Sequence, residues 1–489
     1  MRKWVIKRGG NRMKKIISLL LTALIVFAPV STFAEPETDN NNIIIENSDM
    51  TPPDVSHAEA AVLMDMKTGR VLYGKNIQEK LFPASTTKMM TGILALEKGK
   101  LDDVITATYE AIKDITIEDS HMGILIGEEL TMEQLINGML VYSANDAANV
   151  IAINIAGSVS AFADMMNQKA AELGMYNTHF VNACGIQADE HYTTAEDLAI
   201  LAKYCMQNEK FREIVKQSIY NIPPTNKYTK ERNLPNTNLF LSRSPYNFYQ
   251  PCIGIKTGHT SQAGYCLVSA AEHKDISLIG VVLKCANQNE KEKAYSYMDS
   301  KNMFEFGFNN YTSKKISSPG DVIADSKVYE AKDNMRVAFT VKEDIFALVP
   351  TKAESEDIVF NVERPDDELK APIAKGTVLG RVTYMCNGAQ LASADLVAAN
   401  DVEQDKILFV IHFVVKIITS PFFFIPVILL IIIAIISNNQ KKKRMRKKRL
   451  NQLKHNKQRG VSRTPDRNAA RTEIRESETK GSNSRYTER

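Results

Sequence analysis

The stretch that decides this chain is Pro83-Ala84-Ser85-Thr86-Thr87-Lys88 with the apolar run behind it, Met89-Met90-Thr91-Gly92-Ile93-Leu94-Ala95-Leu96. The run predicts a buried helix, and Pro83 and Ser85 are residue types that begin helices. Ser85 then falls in the first turn with Lys88 three residues on, so both side chains share one face. The positive end of a helix favours a serine that is losing its proton. A lysine beside it, its pKa lowered by a dry site and other cations, can take that proton. Ser-x-x-Lys is the arrangement of serine acyl-transfer enzymes. Taken alone, these common residue types fit a solvated helix start equally well, so the reading depends on what surrounds them.

Upstream, Ala60-Ala61-Val62-Leu63-Met64-Asp65, the turn Lys67-Thr68-Gly69-Arg70 and Val71-Leu72-Tyr73 read as strand, turn and strand. Downstream, residues 101–160 read as mainly helical. Apolar residues at helical spacing from Leu130 to Val141 lead into the polar turn Ser143-Ala144-Asn145-Asp146. Such a turn between two apolar helices can project Ser143 and Asn145 into a cleft, and it is also an ordinary loop composition. At His191–Ala199 a Thr cap is followed by acids, the start of a structural helix. Then Ile253-Gly254-Ile255-Lys256-Thr257-Gly258-His259-Thr260 and Ala263–Ala270 read as an antiparallel hairpin, with Ile276–Leu283 as a further strand. Lys256 and the Thr257 hydroxyl on an edge strand suit a carboxylate, and Gly258 permits close backbone approach.

Ser85-x-x-Lys88, then Ser143-x-Asn145, then Lys256-Thr257-Gly258, on helix, turn and strand, form the motif set of penicillin-recognising serine enzymes. Together with Lys256-Thr257-Gly258-His259-Thr260, the stretch His191–Ala199 and Asn236-Thr237-Asn238, they resemble the low-molecular-mass penicillin-binding proteins, the D-alanyl-D-alanine carboxypeptidases. The resemblance spans residues 55–310. It implies an α/β (α+β) penicillin-recognising serine acyltransferase domain, followed by a small all-β domain. Residues 311–400 fit the latter, with short alternating segments at 322–329, 335–341, 345–349 and 376–385. The resemblance further implies Ser85 as acyl-ester nucleophile, Lys88 as general base and Ser143 as proton relay. Asn145 would hold the substrate amide, Lys256 and Thr257 with Gly258 the terminal carboxylate, and the backbone N–H groups of Ser85 and His259 the oxyanion. Peptidoglycan stem peptides and β-lactam antibiotics are the implied partners, with no metal or organic cofactor. Alternatives are a β-lactamase-like enzyme, a D,D-endopeptidase and a non-catalytic wall-binding scaffold. Glu133 resembles a β-lactamase's second acid only superficially, because it precedes the Ser143 motif instead of following it.

The chain ends supply the setting. Of a formal charge of +4 over 489 residues, residues 1–34 contribute +7 and residues 441–489 contribute +13, leaving −16 for the stretch between. An acidic middle argues against nucleic acid as a partner. Residues 1–34 read as a secretory signal peptide: a basic start, an apolar core from Ile16 to Phe27 and a small residue at Ala34. Met13 is an alternative start. Residues 35–54 read as a polar linker. Residues 407–438 read as a membrane anchor, with Ile417–Ile436 long enough to cross about 30 Å of hydrocarbon and Pro421 and Pro426 kinking or delaying its helix. The basic run from Lys441 to Arg449 places the tail, residues 439–489, on the cytoplasmic side and the acidic domains outside. That tail is polar and expected to be disordered. The six cysteines show no metal-ligand spacing and are expected to remain mostly as thiols, while His121, His179 and His191 are read as ordinary polar or turn residues.

Overall fold

The computed structural model describes residues 43–45, 50–242, 247–286, 295–354, 357–364, 368–386 and 388–458. The expected signal peptide at 1–34, most of the expected linker and the tail past 458 lie outside the described residues. Two compact units are formed, one of Met1–Ser326, Val337–Asp367 and Ala374–Asp401, the other of Lys327–Arg336, Glu368–Ile373 and Val402–Arg489.

The first unit opens with strands β1 (Ile43–Ile45), β2 (Ala60–Asp65) and β3 (Val71–Lys75), then a 3₁₀ turn at Ala84–Thr87 that leads into α1 (Lys88–Lys98). There follow β4 (Val104–Thr106), α2 (Tyr109–Ile112), β5 (Glu129–Thr131), α3 (Met132–Val141), α4 (Asn145–Ala156), α5 (Val159–Glu172), α6 (Ala195–Gln207) and α7 (Glu209–Val215). The hairpin β6 (Ile219–Ile222) and β7 (Arg232–Pro235) precedes β8 (Cys252–Thr260), β9 (Gly264–His273), β10 (Ile276–Cys285) and α8 (Tyr295–Asn310). Strands β1-β3-β2-β10-β9-β8 make one antiparallel sheet, with β8 at its edge. The linker expected at 35–54 therefore contributes a strand: Ile43–Ile45, a β-branched triplet suited to a sheet edge, pairs with β3.

The sheet is buried on both faces because its strands alternate between two cores. Ala60, Val62 and Met64 of β2 and Ile279, Val281 and Leu283 of β10 face a helical layer that includes α1, α3, α4 and α6. Ala61, Leu63, Leu278 and Val282 face Met303 and Phe304 of α8. Helix α1 is wrapped on every side, with Met89, Met90, Ile93 and Leu94 at most 1% exposed. Burying each such side chain stabilises the fold by about 1.5–3 kcal/mol.

The helices around it carry side-chain caps. Thr131 and Gln134 form a capping box at α3, and Ser158, Thr194 and Asn208 cap α5, α6 and α7. Helix α1 has no side-chain cap, because the 3₁₀ turn already precedes it. Ser85 thus lies one turn ahead of the helix instead of within it, and its hydroxyl is left for chemistry. Residues three apart eclipse in a 3₁₀ turn, so Ser85 and Lys88 still share a face.

Beyond α8, β11 (Tyr311–Ser317) pairs with β14 (Ile345–Pro350), and β12 (Ala324–Lys327), β13 (Arg336–Val341), β15 (Ile358–Glu363), β16 (Val378–Cys386) and β17 (Ala389–Ala398) form a sheet ordered β12-β13-β17-β16-β15. Strands β11, β15 and β17 go beyond the segments legible in the sequence.

In the second unit, Asp405 caps α9 (Lys406–Thr419) through the backbone N–H groups of Ile407 and Leu408. Helix α10 (Pro421–Gln458) follows, and among the described residues one segment, Phe422–His455, is long and apolar enough to cross a membrane. The helix is interrupted at Ser420, which is extended (ψ 133°), so Pro421 delays the span as expected, while Pro426 lies inside α10. Pro421 then starts a new helix at the position where its missing N–H costs nothing. Residues 439–458, expected to be disordered, are helical: Lys, Arg, Gln, Met and Leu are good helix formers, and the apolar segment supplies the nucleus.

Candidate active site

The Lys88 side chain is fully buried at the start of α1. Its Nζ donates to Ser85 Oγ, Asn145 Oδ1 and the Cys184 carbonyl oxygen, each at 2.7 Å. Burial lowers the ammonium pKa to about 8, against the pull of the Cys184 thiol and the Asp146 and Asp119 carboxylates. An amine with that pKa has a sizeable neutral fraction near neutrality. It would then keep two N–H bonds, to Asn145 and Cys184, and turn its lone pair to Ser85. Desolvation thus suits this lysine to accept a proton, and the acceptors around it fix its orientation.

Two backbone features hold Ser85 in place. Ala84 adopts φ +48°, a conformation that costs a non-glycine residue about 1–2 kcal/mol and is tolerated only where the surroundings impose it. Those surroundings are close. A Cβ on Gly258 would stand 2.9 Å from the Pro83 carbonyl oxygen and 3.1 Å from Ser85 N. A Cβ on Gly185, itself at φ +86°, would overlap the Ala84 carbonyl group. Only glycine at both positions lets β8 and the 182–186 loop press against the nucleophile turn from two sides.

Ser143 and Asn145 lie where α3 meets α4. Ser143 is buried and left-handed, at φ +70°, the reversal that lets α4 begin at Asn145. The Asn145 N–H donates to the Ser120 carbonyl at 2.7 Å. The buried Asp146 carboxylate accepts from the N–H groups of Met122, Ile124 and Ala147, so the loop over this turn is tied to it.

On β8, Lys256 is buried and its Nζ donates to the Thr257 carbonyl at 3.1 Å. Burial, and secondarily the charge of Lys88, pushes its pKa well below the ordinary lysine value. Thr257 Oγ1 is 2.7 Å from Thr237 Oγ1, and the Thr237 N–H donates to the Val141 carbonyl at the end of α3. His259 is exposed, its ring 4.3 Å from that of Tyr265.

The structure thus joins Ser85, Lys88 and Asn145 directly and packs Gly258 against the nucleophile turn. Glu133 pairs instead with Lys210 at 2.7 Å. Among the described residues, no group of three or more His, Cys, Asp or Glu side chains is arranged to hold a metal. Two participants escaped the sequence reading. The Cys184 carbonyl is a backbone group with no side-chain signal beyond Gly185 next to it. His191, read as a turn residue, is buried behind the nucleophile turn with Nε2 2.8 Å from Thr87 Oγ1.

Comparison with known proteins gives the same picture. Residues 46–287 match the D-alanyl-D-alanine carboxypeptidase peptidase family, and residues 311–404 the penicillin-binding protein 5 C-terminal domain. The D-alanyl-D-alanine carboxypeptidase DacF of Bacillus subtilis is 32% identical over 400 residues, covering 80% of this chain and 95% of that protein. DacA of Haemophilus influenzae is 31% identical over 362 residues, covering 72% and 87%. The crystal structure of penicillin binding protein 5 from Haemophilus influenzae superposes with a TM-score of 0.60 at 30% identity, covering 73% of this chain and all of the other. By these matches the chain belongs to the D-alanyl-D-alanine carboxypeptidase family.

Proposed function

We propose that the chain is a serine-type D-Ala-D-Ala carboxypeptidase that removes the terminal D-Ala from peptidoglycan stem peptides and is acylated by β-lactams at Ser85. The observation that carries this reading is the buried Lys88 with Ser85, Asn145 and the Cys184 carbonyl around it. Ser85 Oγ attacks the carbonyl of the penultimate D-Ala while its proton passes to neutral Lys88 Nζ. The C–N bond breaks, the leaving amine receives a proton through Ser143, and the peptide remains on Ser85 as an ester. Water, giving a proton to the again neutral Lys88, attacks the ester, and that proton passes to Ser85 Oγ as the ester bond breaks and the shortened peptide leaves.

Lys256 and Thr257 bind the terminal carboxylate, and Asn145 holds the substrate amide. Lys256 is shielded from water, which favours its pairing with an anion, and Thr257 is fixed by Thr237. The oxyanion is held by the N–H groups of Ser85 and His259. Gly258 lies close enough to Ser85 N for the two donors to converge, and losing one such donor costs about 2.7–4 kcal/mol of transition-state stabilisation.

The catalytic domain is taken as residues 55–310 and the β domain as 311–400. The apolar first half of α10, with the basic run Lys441–Arg449 in its second half, supports a single span, catalytic domain outside and basic segment inside. The test is release of free D-Ala from a peptide ending in D-Ala-D-Ala by the detergent-solubilised full chain, beside Ser85→Ala and Lys88→Ala. Release that disappears in both variants is expected. Release by folded Ser85→Ala would refute the nucleophile.

A further inference from the structure

Lys88 can face its lone pair to Ser85 only while two other acceptors occupy its N–H groups. One of these, the Cys184 carbonyl, belongs to a loop with no regular structure. Among the hydrogen bonds that fasten this loop are the following. Within it, Asn182 Oδ1 accepts from the N–H groups of Cys184 and Gly185. The Ala183 carbonyl accepts from Thr91 Oγ1 at 2.6 Å, one turn along α1 from Lys88. At its root, the Val181 N–H donates to His191 Nδ1 at 3.1 Å.

The last bond fixes the tautomer. Because Nδ1 accepts, the ring proton sits on Nε2 and is donated to Thr87 Oγ1 at 2.8 Å. Thr87 is the residue before Lys88. One buried imidazole therefore fastens the root of the acceptor loop to the turn that carries nucleophile and base. Its surroundings keep it neutral: it is 2% exposed, lies edge-on to the Phe180 ring at 5.6 Å, and has His179 as the other ionisable group acting on it. Burial lowers its pKa to about 4, so the link holds throughout the range in which Lys88 titrates.

We infer that His191 is a positioning residue for the acyl-transfer step, stapling Val181 to Thr87 so that the Cys184 carbonyl holds the Lys88 amine in register with Ser85. The inference rests on the assignment of Ser85 as nucleophile and Lys88 as its base. Gln can reproduce both bonds, since its amide oxygen and nitrogen are spaced much as the two imidazole nitrogens are. Leu can reproduce neither.

The experiment compares wild type, His191→Gln, His191→Leu and Thr87→Val in the detergent-solubilised full chain. It measures the rate of covalent labelling by a fluorescent penicillin across pH, and kcat and KM for D-Ala release. Misplacing the base by about 1 Å is expected to lower labelling and kcat in His191→Leu by about 10- to 100-fold. KM should stay within about threefold, since the carboxylate-binding strand is untouched. The pH at which labelling reaches half its maximum should move, whereas a loss of folded fraction scales the rate without moving it. His191→Gln should recover most of the rate. A folded His191→Leu with wild-type labelling and an unmoved pH midpoint overturns the inference. Where His191→Leu does not fold, Thr87→Val cuts the same staple from its other end, and wild-type behaviour there overturns it equally. Failure of the underlying assignment looks different: wild type is then not labelled at Ser85, or Lys88→Ala labels like wild type.

Discussion

Gly185→Ala tests whether the nucleophile turn is held by contact from the 182–186 loop. The added methyl meets two obstacles. At φ +86° an L-residue loses about 1–2 kcal/mol. The new Cβ also overlaps the Ala84 carbonyl group and stands 3.0 Å from Ser85 N. These are backbone atoms in a turn already strained at Ala84, so no flexible side chain can swing aside. To restore van der Waals contact the two segments must part by about 1 Å, enough to cost about 100-fold in a positioned reaction. Because Lys88 donates to Cys184 O in the same loop, the shift also pulls base and nucleophile apart. The assay is the rate of acylation by a fluorescent penicillin, with the thermal midpoint recorded on the same sample. The expected result is a folded protein with a lowered midpoint, acylated about two orders of magnitude more slowly. Acylation at the wild-type rate in a folded Gly185→Ala protein would refute the argument that this loop sets the position of Ser85.

The remaining predictions concern charge. Acylation should rise with pH and level off above about 8, the value to which burial lowers Lys88, because only the neutral amine accepts a proton. Asp119→Asn removes a carboxylate that favours the charged form, so the midpoint of this rise should move to lower pH; an upward move contradicts the assignment. Arg232→Met should destabilise the fold by about 3–5 kcal/mol, read from urea midpoints, since it strands a buried carboxylate. Arg232 holds Glu128 with Nη1–Oε1 at 2.7 Å and Nη2–Oε2 at 2.9 Å, and neither side chain is more than 5% exposed. Burial pushes the Glu128 carboxyl up, but hydrogen bonds from Arg232, the Leu125 N–H and Thr225 outweigh it and leave the pKa below the ordinary value. The stability linked to Glu128 is therefore full above the usual carboxylate range and is lost as pH falls through the lowered value. A destabilisation that does not shrink in acid would contradict this.

What the sequence disclosed was whatever its side chains carry in a short window. Short apolar segments bounded by turn residues marked β2, β8 and β10, alternation marked β9, and the longer apolar run marked α1. Three short motifs marked the proposed nucleophile, base and carboxylate strand because each of those roles needs particular side chains. Backbone functions were hidden. The Cys184 carbonyl acts whatever side chain that residue bears, and the 3₁₀ turn at Ala84–Thr87 shares its residue types with an ordinary helix start. His191 was hidden for another reason: its partners, Val181 and Thr87, are 10 and 104 residues away, and no local window joins them. Strand β15 carries Val359 and Phe360 exposed on an edge, so no clean inside–outside pattern announced it. The break at Ser420 was legible, because Pro421 beside it cannot continue the preceding helix.

The depressed proton affinity of Lys256 has a consequence for how substrate is counted. This amine lies buried near a second cation, and both conditions favour its uncharged form. A bound carboxylate replaces that environment with an opposite charge and returns the pKa towards its ordinary value. On the proposed docking of a peptide carboxylate at Lys256, binding between the two values would take up a proton from the buffer. Alkali then weakens docking by mass action, although the same alkali frees Lys88 for chemistry. Affinity and turnover are set against each other along the pH axis, and the two lysines that oppose them occupy one dry cleft.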